Sequence, residues 1–360
     1  MGINHQLLLE HEHDRSLYAG LSAEQKARAS IVNAFAANPF DFSDRFRVAK
    51  VIGFGSNGVV LAAEDLTRST GSAAVAIKII YKDPLDEGRI VRTPPPEIAV
   101  LRALSAAGSS KYIVRSIADW QDPNHFYLVT ELFGQSWIDA LNDPKLKPLS
   151  FTSTYRNVST THNLPFFDGS SDLWAYIYAS RTYLYKTEGH RLLPLDPIRQ
   201  IIKQTASALA FIHSKNFYHG DVKCENILVS QVADLSSNTH TTSIRLADFG
   251  HARTIYNGIE SYGTRAISPP EFLEDSPFAP EELDGRCSDV FALGMVMFSL
   301  LNDAGDSAPS IPCESMYEAL EVYDGGRYPI SGISDLDQEG WDLLNAMCLL
   351  NHSWLQDTRI

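Results

Sequence analysis

The pattern of hydrophobic and polar positions divides the chain into a β-rich part followed by an α-rich part. Over residues 46–80, apolar and β-branched runs are interrupted by glycines, which predicts three antiparallel strands in succession. A helix is predicted over residues 96–106, because proline is tolerated in the first turn of a helix but not in its interior. Strand patterns at residues 112–120 and 125–132 complete the β-rich part.

Helical spacing dominates the second part of the chain. It runs over residues 173–185 and again over 197–214. Short strands are predicted at residues 226–230 and 243–248, with a surface hairpin loop at 236–243 between them. Strands first and helices later indicate an α+β fold.

Two segments stand outside this order. Residues 1–43 form an N-terminal extension with one helical patch at residues 22–36. Residues 141–172 are rich in Pro, Ser, Thr and Asn and show little periodicity, over a length that loops within a compact domain seldom reach. We interpret residues 141–172 as an insert.

Charge and cysteine content narrow the choice of partners and compartment. Among 360 residues, 30 are basic and 44 acidic, a net charge of -14 that disfavours nucleic acid and anionic membranes and favours basic partners. The four cysteines are widely spaced without a CxxC pair, which is typical of free thiols in a reducing compartment. No apolar run approaches the roughly 20 residues of a membrane span. We expect a monomer in the cytoplasm or the nucleus.

A glycine-rich stretch lies between the first two predicted strands. Gly53, Gly55 and Gly58 would let the backbone approach phosphate groups and direct N–H groups at their oxygens. A glycine-rich hairpin turn explains an isolated match of this kind equally well. A dinucleotide site is disfavoured, because a strand and not a helix follows the last glycine.

A lysine interrupts the third apolar strand. A buried ammonium group is costly unless it meets an anion, so Lys78 predicts a carboxylate or phosphate partner. Glu97, near the start of the predicted helix, is a candidate. The alternatives are a lysine at a strand edge and a solvated acid favoured by the helix dipole.

The most specific signal is a polar loop between a helix and a strand. Asp221 can accept or orient the proton of a substrate hydroxyl, Lys223 can neutralise charge on a transferred phosphoryl group, and Asn226 can ligate Mg²⁺. Asp248, which opens an Asp-Phe-Gly triplet after the next strand, offers a second oxygen ligand for Mg²⁺. His219 is interpreted as structural.

Taken in order, these signatures resemble those of the eukaryotic protein kinases, over roughly residues 45–360. The resemblance implies a bilobal fold, with a small β-rich N-lobe containing one helix (residues 44–133) and a larger α-helical C-lobe (residues 134–360). It also implies serine/threonine protein kinase activity with ATP and Mg²⁺ as cofactors. The motif Val-Thr-Glu-Leu-Phe-Gly at 129–134 is similar to the calmodulin-dependent and PAS kinase groups.

The resemblance also implies a role for each matching residue. Lys78 and Glu97 would form an ion pair, and Asp221, Lys223 and Asn226 the catalytic loop. The residues implied in nucleotide binding are Gly53, Gly55 and Gly58 in the phosphate-covering loop, Val60 and Ala76 above adenine, Leu228 below it, Thr130 as gatekeeper, Glu131 to Phe133 as hinge, and Asp248 at the metal.

Three further family features lie downstream. Thr264 is expected to bridge Asp221 and Lys223, as in serine/threonine-specific members, and Asp289 to anchor the backbone of the catalytic loop. Glu271 closes a segment that resembles the family's Ala-Pro-Glu motif. The chain ends at Ile360, before the final helices of most members, so a truncated C-terminus is an expectation here.

Two other functions stay open at this point. Gly220 stands where most members carry arginine, and small-molecule kinases of the aminoglycoside or choline type use the same His-Gly-Asp triplet. A pseudokinase that acts as a scaffold is the second alternative. For a protein kinase, Glu225 and Glu131 are candidates to meet basic residues flanking the target serine or threonine of a protein substrate.

Overall fold

The computed structural model describes residues 18, 20–68, 73–82, 93–134, 147–166, 171–234, 239–257, 264, 267–269, 283–301 and 336–349. They fall into two compact units. The first draws on the ranges 1–94, 117–132 and 142–168. The second draws on the ranges 95–116, 133–141 and 169–360.

The helices described are α1 (Ala23–Ala37), α2 (Pro96–Ala106), α3 (Leu173–Glu188), α4 (Leu195–Ser214), α5 (Gly285–Leu301) and α6 (Gln338–Leu349). The strands described are β1 (Phe46–Phe54), β2 (Gly58–Asp65), β3 (Ala74–Tyr81), β4 (Ser116–Gln121), β5 (His125–Glu131), β6 (Leu149–Tyr155), β7 (Val158–Leu164), β8 (Phe217–Tyr218), β9 (Ile227–Asp234), β10 (Thr239–Leu246) and β11 (Arg253–Thr254). The strands β1 to β3 and the helices α2, α3 and α4 come in the order that the pattern predicts.

The first unit is built on a five-stranded sheet in the order β1-β2-β3-β5-β4. The strands β1, β2 and β3 pair antiparallel, which confirms the three strands predicted from the glycine-interrupted apolar runs. β5 pairs antiparallel with β3, so Lys78 lies opposite Leu128 on one side and Val60 on the other. The strand β1 lies at an edge of this sheet.

The N-terminal helix is part of the core of the first unit. Ser22 caps α1 through a reciprocal capping box with Gln25, which explains why the helix begins one residue after the predicted start. Ile31 and Phe35 on its inner face are buried and join one hydrophobic cluster with Val59 and other residues of the sheet. The extension is therefore packed against the sheet over this helix.

A buried polar cluster fixes the end of α1 to the sheet. The side-chain amide of Asn38 donates to Asp122 Oδ2 at 2.9 Å and accepts from Trp120 Nε1 at 3.0 Å. Trp120 also stacks on Tyr127, with ring centroids 4.7 Å apart. Because buried polar groups are costly when unpaired, these bonds specify one position for the helix end.

The insert departs from its sequence interpretation. Residues 141–172 show little periodicity in sequence, which predicts no regular strands. In the structure, β6 and β7 nevertheless pair antiparallel from Leu149 to Leu164. One face of this hairpin carries cross-strand pairs of polar side chains, such as Ser150 with Asn163. Strands with so many polar residues have the same composition as a loop, so composition alone does not reveal them. The hairpin groups with the first unit, whereas the sequence boundaries placed it in the C-lobe. Residues 141–146 lie outside the described ranges.

The second unit is mainly helical. α4 buries one apolar face, and twelve of the residues of α5, including Asp289, are buried. The hairpin of β9 and β10 is longer than predicted, because residues 239–243, expected in its loop, continue β10. α2 groups with this unit, not with the sheet as the N-lobe boundaries implied, and it packs beside the turn at Phe249–His251.

Two properties concern the described residues alone. None of their helices combines the length and apolarity needed to cross a bilayer. Cys224, Cys287 and Cys348 are free thiols, in agreement with the sequence expectation, and Cys313 lies outside the described ranges.

We expect Phe35→Ala to lower the free energy of unfolding by about 3–5 kcal/mol, because it leaves a cavity between α1 and the sheet. Phe40→Ala is the matched control, since that side chain is 52% exposed and its loss should change stability by no more than about 0.5 kcal/mol. Urea unfolding of the three proteins measures both values. Equal stability of the Phe35 variant and wild type would show that α1 does not contribute to this core.

Candidate active site

The loop that carries Asp221 is held between short structural elements. It leaves the α4 helix through β8, which pairs antiparallel with β11, and it enters β9 through a 3₁₀ turn at Cys224–Asn226. Gly220 has φ +77°, and a Cβ there would lie 2.8 Å from the carbonyl oxygen of His251. Backbone conformation and close approach both require glycine at this position.

Asp289, a residue of α5, anchors this loop through its side chain. Its carboxylate is 1% exposed and accepts from the backbone N–H of His219 and of Gly220, each at 2.8 Å. The same carboxylate lies 2.8 Å from Nε2 of His213, at the end of α4. The expected anchoring role of Asp289 is present, and His213 is a contact that the sequence interpretation missed. The sequence signal that could have indicated this contact is the His-Ser pair at the end of the helix predicted over residues 197–214.

The ring of His219 connects the loop to the segment before Asp248. Its Nε2 lies 3.0 Å from the carbonyl oxygen of Ala247, and its Nδ1 accepts from the backbone N–H of Asp221 at 3.3 Å. These two contacts assign the neutral tautomer with the proton on Nε2. The ring is fully buried against Phe249 at a centroid distance of 4.9 Å, which agrees with a structural role.

Three side chains, those of Thr264, Lys223 and Asn226, contact Asp221. Thr264 donates to Asp221 Oδ1 from both its hydroxyl (2.7 Å) and its backbone N–H (2.9 Å), and Lys223 Nζ lies 2.8 Å from Oδ2. Lys223 also donates to the hydroxyl oxygen of Thr264 at 2.9 Å, so Thr264 bridges the acid and the lysine as expected. The amide of Asn226 donates to Asp221 Oδ2 at 3.1 Å and to its carbonyl oxygen at 2.8 Å.

These contacts keep Asp221 ionised. Burial by itself raises the pKa of this carboxyl, but hydrogen bonds from Lys223 and Thr264 and the charge of Lys223 outweigh burial and hold the pKa below its usual value. The side chain is a carboxylate at neutral pH, and only 5% of the residue is exposed. A carboxylate poised in this way can accept a hydrogen bond from a hydroxyl group.

Asn226 and Asp248 are candidates for a magnesium site. The backbone N–H of Ala247 donates to the carbonyl oxygen of Asn226 at 2.9 Å. Because Ala247 precedes Asp248, this bond brings the backbone of Asn226 close to that of Asp248. Asp248 has φ +57°, and its carboxylate is exposed. The bonds that Asn226 donates to Asp221 orient its amide, leaving the amide oxygen as the ligand atom. One carboxylate and one amide oxygen suit Mg²⁺, which keeps waters and phosphate oxygens as its other ligands.

The three glycines lie in the first unit, with Gly53 in β1, Gly55 in the turn that follows it, and Gly58 at the start of β2. Gly55 donates its N–H to the carbonyl oxygen of Gly58 at 2.9 Å. A Cβ at Gly55 would meet nothing within 4 Å, whereas one at Gly58 would lie 2.5 Å from the carbonyl oxygen of Ile79. Gly58 is therefore required for packing against β3, and Gly55 leaves the turn uncovered by a side chain.

The other predicted nucleotide-binding residues are divided between the units. In the first unit, Ala76 pairs with Ala62 and Thr130, Val60 pairs with Lys78, and Glu131 pairs with Val75. In the second unit, Leu228 is the second residue of β9, Phe133 lies under the guanidinium of Arg245 at 4.3 Å, and Glu97 is buried in the first turn of α2.

The ion pair of Lys78 with Glu97 stays a prediction. So do the nucleotide and metal roles assigned to these residues.

The comparisons with known proteins point in one direction. The family described as "Protein kinase domain" matches residues 173–348, the part that contains Asp221, Asn226, Asp248 and Asp289. Over this part of its length the chain is similar to eukaryotic serine/threonine protein kinases.

Several relatives of this chain are named as serine/threonine protein kinases. Serine/threonine-protein kinase ULK1 of Homo sapiens is 28% identical over 39% of the chain and 12% of its own length. Serine/threonine-protein kinase PKZ1 of Phytophthora infestans is 37% identical over 29% of the chain and 27% of its own length. The chain thus spans less than a third of these two relatives. Serine/threonine-protein kinase pim-2 of Danio rerio is 24% identical over 89% of the chain and 87% of its own length.

Some family features fall on residues that the structure does not describe. Gly263, Pro270 and Glu271 of the segment resembling Ala-Pro-Glu lie outside the described ranges. Thr264 is described, and its contacts with Asp221 and Lys223 tie the start of that segment to the catalytic loop.

We expect Asp289→Ala to lower the free energy of unfolding by about 2–5 kcal/mol, because two buried N–H groups lose their acceptor. Asp196→Ala is the matched control, because the side chain of Asp196 is 85% exposed and its surface ion pair with Arg199 contributes at most about 1 kcal/mol. Denaturant unfolding compares them. Similar small losses in both variants would contradict the anchoring role.

Proposed function

We propose that this chain is an ATP-dependent protein serine/threonine kinase that transfers the γ-phosphate of Mg-ATP to a hydroxyl group of a protein. One observation carries the proposal: the ionised, buried carboxylate of Asp221 is bridged through Thr264 to Lys223. Phosphoryl transfer requires a hydrogen-bond acceptor for the attacking hydroxyl group and a cation near the transferred phosphoryl group. Both must be held in fixed positions.

The residues of the catalytic loop act mainly by alignment. Asp221 would accept the hydrogen bond of the incoming hydroxyl and later its proton, and Lys223 would neutralise charge on the phosphoryl oxygens. Thr264 holds both side chains through one hydroxyl group. Because their positions are set before substrate binds, little reorganisation is needed at the moment of transfer.

Asn226 and Asp248 would supply oxygen ligands for Mg²⁺, and a bound Mg²⁺ would neutralise phosphate charge. The uncovered turn at Gly55 would supply backbone N–H groups for phosphate. We further propose a bilobal kinase fold, with an N-lobe over residues 44–133 and a C-lobe over residues 134–360, and an ion pair of Lys78 with Glu97.

Substrate and location are also proposals. The net charge of -14 and the exposed Glu225 support a protein substrate with basic residues near the target hydroxyl. The three free thiols support a reducing compartment, the cytoplasm or the nucleus. We propose that the protein acts as a monomer, without nucleic-acid or membrane partners. Kinship with the calmodulin-dependent and PAS kinase groups is proposed as well.

Two alternatives make different demands on the site. A small-molecule kinase of the aminoglycoside or choline type would share Gly220 and Asn226, but its chemistry gives no reason for the contacts of Lys223 with Thr264. A pseudokinase scaffold would tolerate the loss of a catalytic or metal-binding group, yet Lys78, Asp221 and Asp248 are all present.

We expect Asp221→Asn to reduce phosphotransfer about 10²- to 10⁴-fold, the range for removing a general base, while the fold is retained. Lys78→Met should reduce it strongly too. Asp284→Asn, at an exposed aspartate outside the site, is the control. Transfer of radiolabelled phosphate from ATP to basic and acidic test proteins measures the effect.

The same assay separates the three functions. Labelling of proteins that is lost in the Asp221 variant supports the proposal. Binding of Mg-ATP without transfer would favour the pseudokinase, and labelling restricted to small alcohols would favour the other kinase class. Unchanged transfer in Asp221→Asn would refute the assignment of the site.

We expect Thr264→Ala to move the acidic limb of the activity profile to higher pH. Its hydroxyl stabilises the ionised form of Asp221, so its removal raises the pKa of that carboxyl, which then becomes protonated at a higher pH. Thr264→Ser retains a hydroxyl group and should keep the wild-type profile. Measurement of kcat/KM against pH tests this, and identical acidic limbs in all three proteins would contradict it.

A further inference from the structure

We propose that the insert and the N-terminal helix together position the glycine-rich turn through Phe166. In its consequence for ATP this inference rests on the proposed function. The residues that carry it all belong to the first unit.

The insert supplies a hydrogen-bonding partner to the edge of the sheet. β1 is an edge strand, so alternate N–H and C=O groups on its outer side lack a neighbouring strand. Val51 donates its backbone N–H to the carbonyl oxygen of Pro165 at 3.0 Å, and Val51 and Phe166 form a parallel β-bridge. The segment that follows β7 therefore extends the sheet beside the strand that leads into the glycine-rich turn.

Phe166 also contacts the turn itself. Its ring meets the ring of Phe54 edge to face, with centroids 5.6 Å apart at 79°. Phe54 is the last residue of β1, lies between Gly53 and Gly55, and pairs with Val59 of β2. Because glycines on both sides allow a wide range of backbone conformations, an aromatic contact at Phe54 restricts the point where β1 enters the turn.

Arg28 of α1 holds Phe166 in place. Its guanidinium lies 4.4 Å from the centre of the Phe166 ring. The same group donates to the carbonyl oxygen of Lys147 at 2.6 Å and to Glu24 at 2.7 Å. Lys147 precedes the hairpin of β6 and β7, and Phe166 follows it. The side chain of Arg28 therefore contacts both ends of the hairpin.

A second set of contacts joins the hairpin to α1. Phe35 packs against Phe151 and His162, with ring centroids 5.0 and 4.7 Å apart. At the hairpin turn, Arg156 forms an ion pair with Asp44 at 3.2 Å. The hairpin thus contacts the N-terminal residues at its ends, its middle and its turn, and Pro165 and Phe166 connect it to β1 and to the glycine-rich turn.

A role limited to stability makes a different prediction from a positioning role. If Phe166 only filled space, its removal would lower stability without changing how the turn meets a nucleotide. If it positions the turn, its removal changes nucleotide affinity and the exchange of the turn's amides, while the catalytic loop, which belongs to the other unit, is untouched.

The first test is Phe166→Ala, with Val158→Ala as the control. Val158 lies at the far end of the hairpin and is 63% exposed. We expect the KM for ATP to rise about two- to tenfold in the Phe166 variant, the range for losing one aromatic pair, with kcat within twofold of wild type. The control should match wild type. A KM unchanged in both variants overturns the proposal.

Amide hydrogen exchange tests the same inference without nucleotide. Residues 51–58 of Phe166→Ala should exchange faster than in wild type, because the bond from Val51 and the ring contact of Phe54 are weakened. Unchanged exchange over these residues overturns the proposal even if stability falls. If wild type transfers no phosphate, the proposed function fails, and this measurement still decides the positioning role.

A double-mutant cycle gives the sharpest criterion. Phe54→Ala should raise the KM for ATP by itself, and adding Phe166→Ala should then have little further effect, because the contact is already lost. Independent, multiplicative effects would overturn the direct link. If Phe166→Ala does not fold, Phe166→Leu and Arg28→Lys serve instead, since Lys keeps the charge but loses the planar group over the ring.

Discussion

The catalytic loop depends on one buried carboxylate. Asp289 lies on the buried face of α5, and it accepts the N–H groups of His219 and Gly220, which no neighbouring strand or helix would otherwise satisfy. Two residues later the same loop presents Asp221. A buried ion without partners is costly, so the carboxylate and the loop backbone stabilise each other in one arrangement. His213 adds a third contact from the end of α4.

On this anchored loop, chemistry and stability are divided among neighbouring groups. Asp221 is kept ionised by Lys223 and Thr264, and the latter belongs to a segment distant in sequence. The ring of His219 links the loop to Ala247, beside Asp248. The acid, the cation and both candidate metal ligands are therefore oriented by hydrogen bonds within the second unit, as the proposed phosphoryl transfer requires.

The first unit shows a different principle, in which added segments become part of the core. α1 buries Ile31 and Phe35 against the sheet, and the hairpin of the insert packs on α1. Neither segment is needed to form a five-stranded sheet. Their joint packing covers the edge of β1 and reaches Phe54, so their effect on the kinase would be exerted at the glycine-rich turn.

Sequence alone determined the elements and chemistry that depend on local pattern: the strands β1 to β3, the bounds of α2, and the spacing of Asp221, Lys223, Asn226 and Asp248, because periodicity and short-range spacing are written in consecutive residues. It did not reveal the hairpin of the insert, whose exposed hydroxyl pairs resemble a loop in composition. The resemblance to protein kinases already implied that Thr264 joins Asp221 to Lys223, but only the tertiary structure decided that His213 meets Asp289 and that Phe166 meets Phe54. Such contacts join residues far apart in the chain, and packing and hydrogen bonding select them only once the fold has formed.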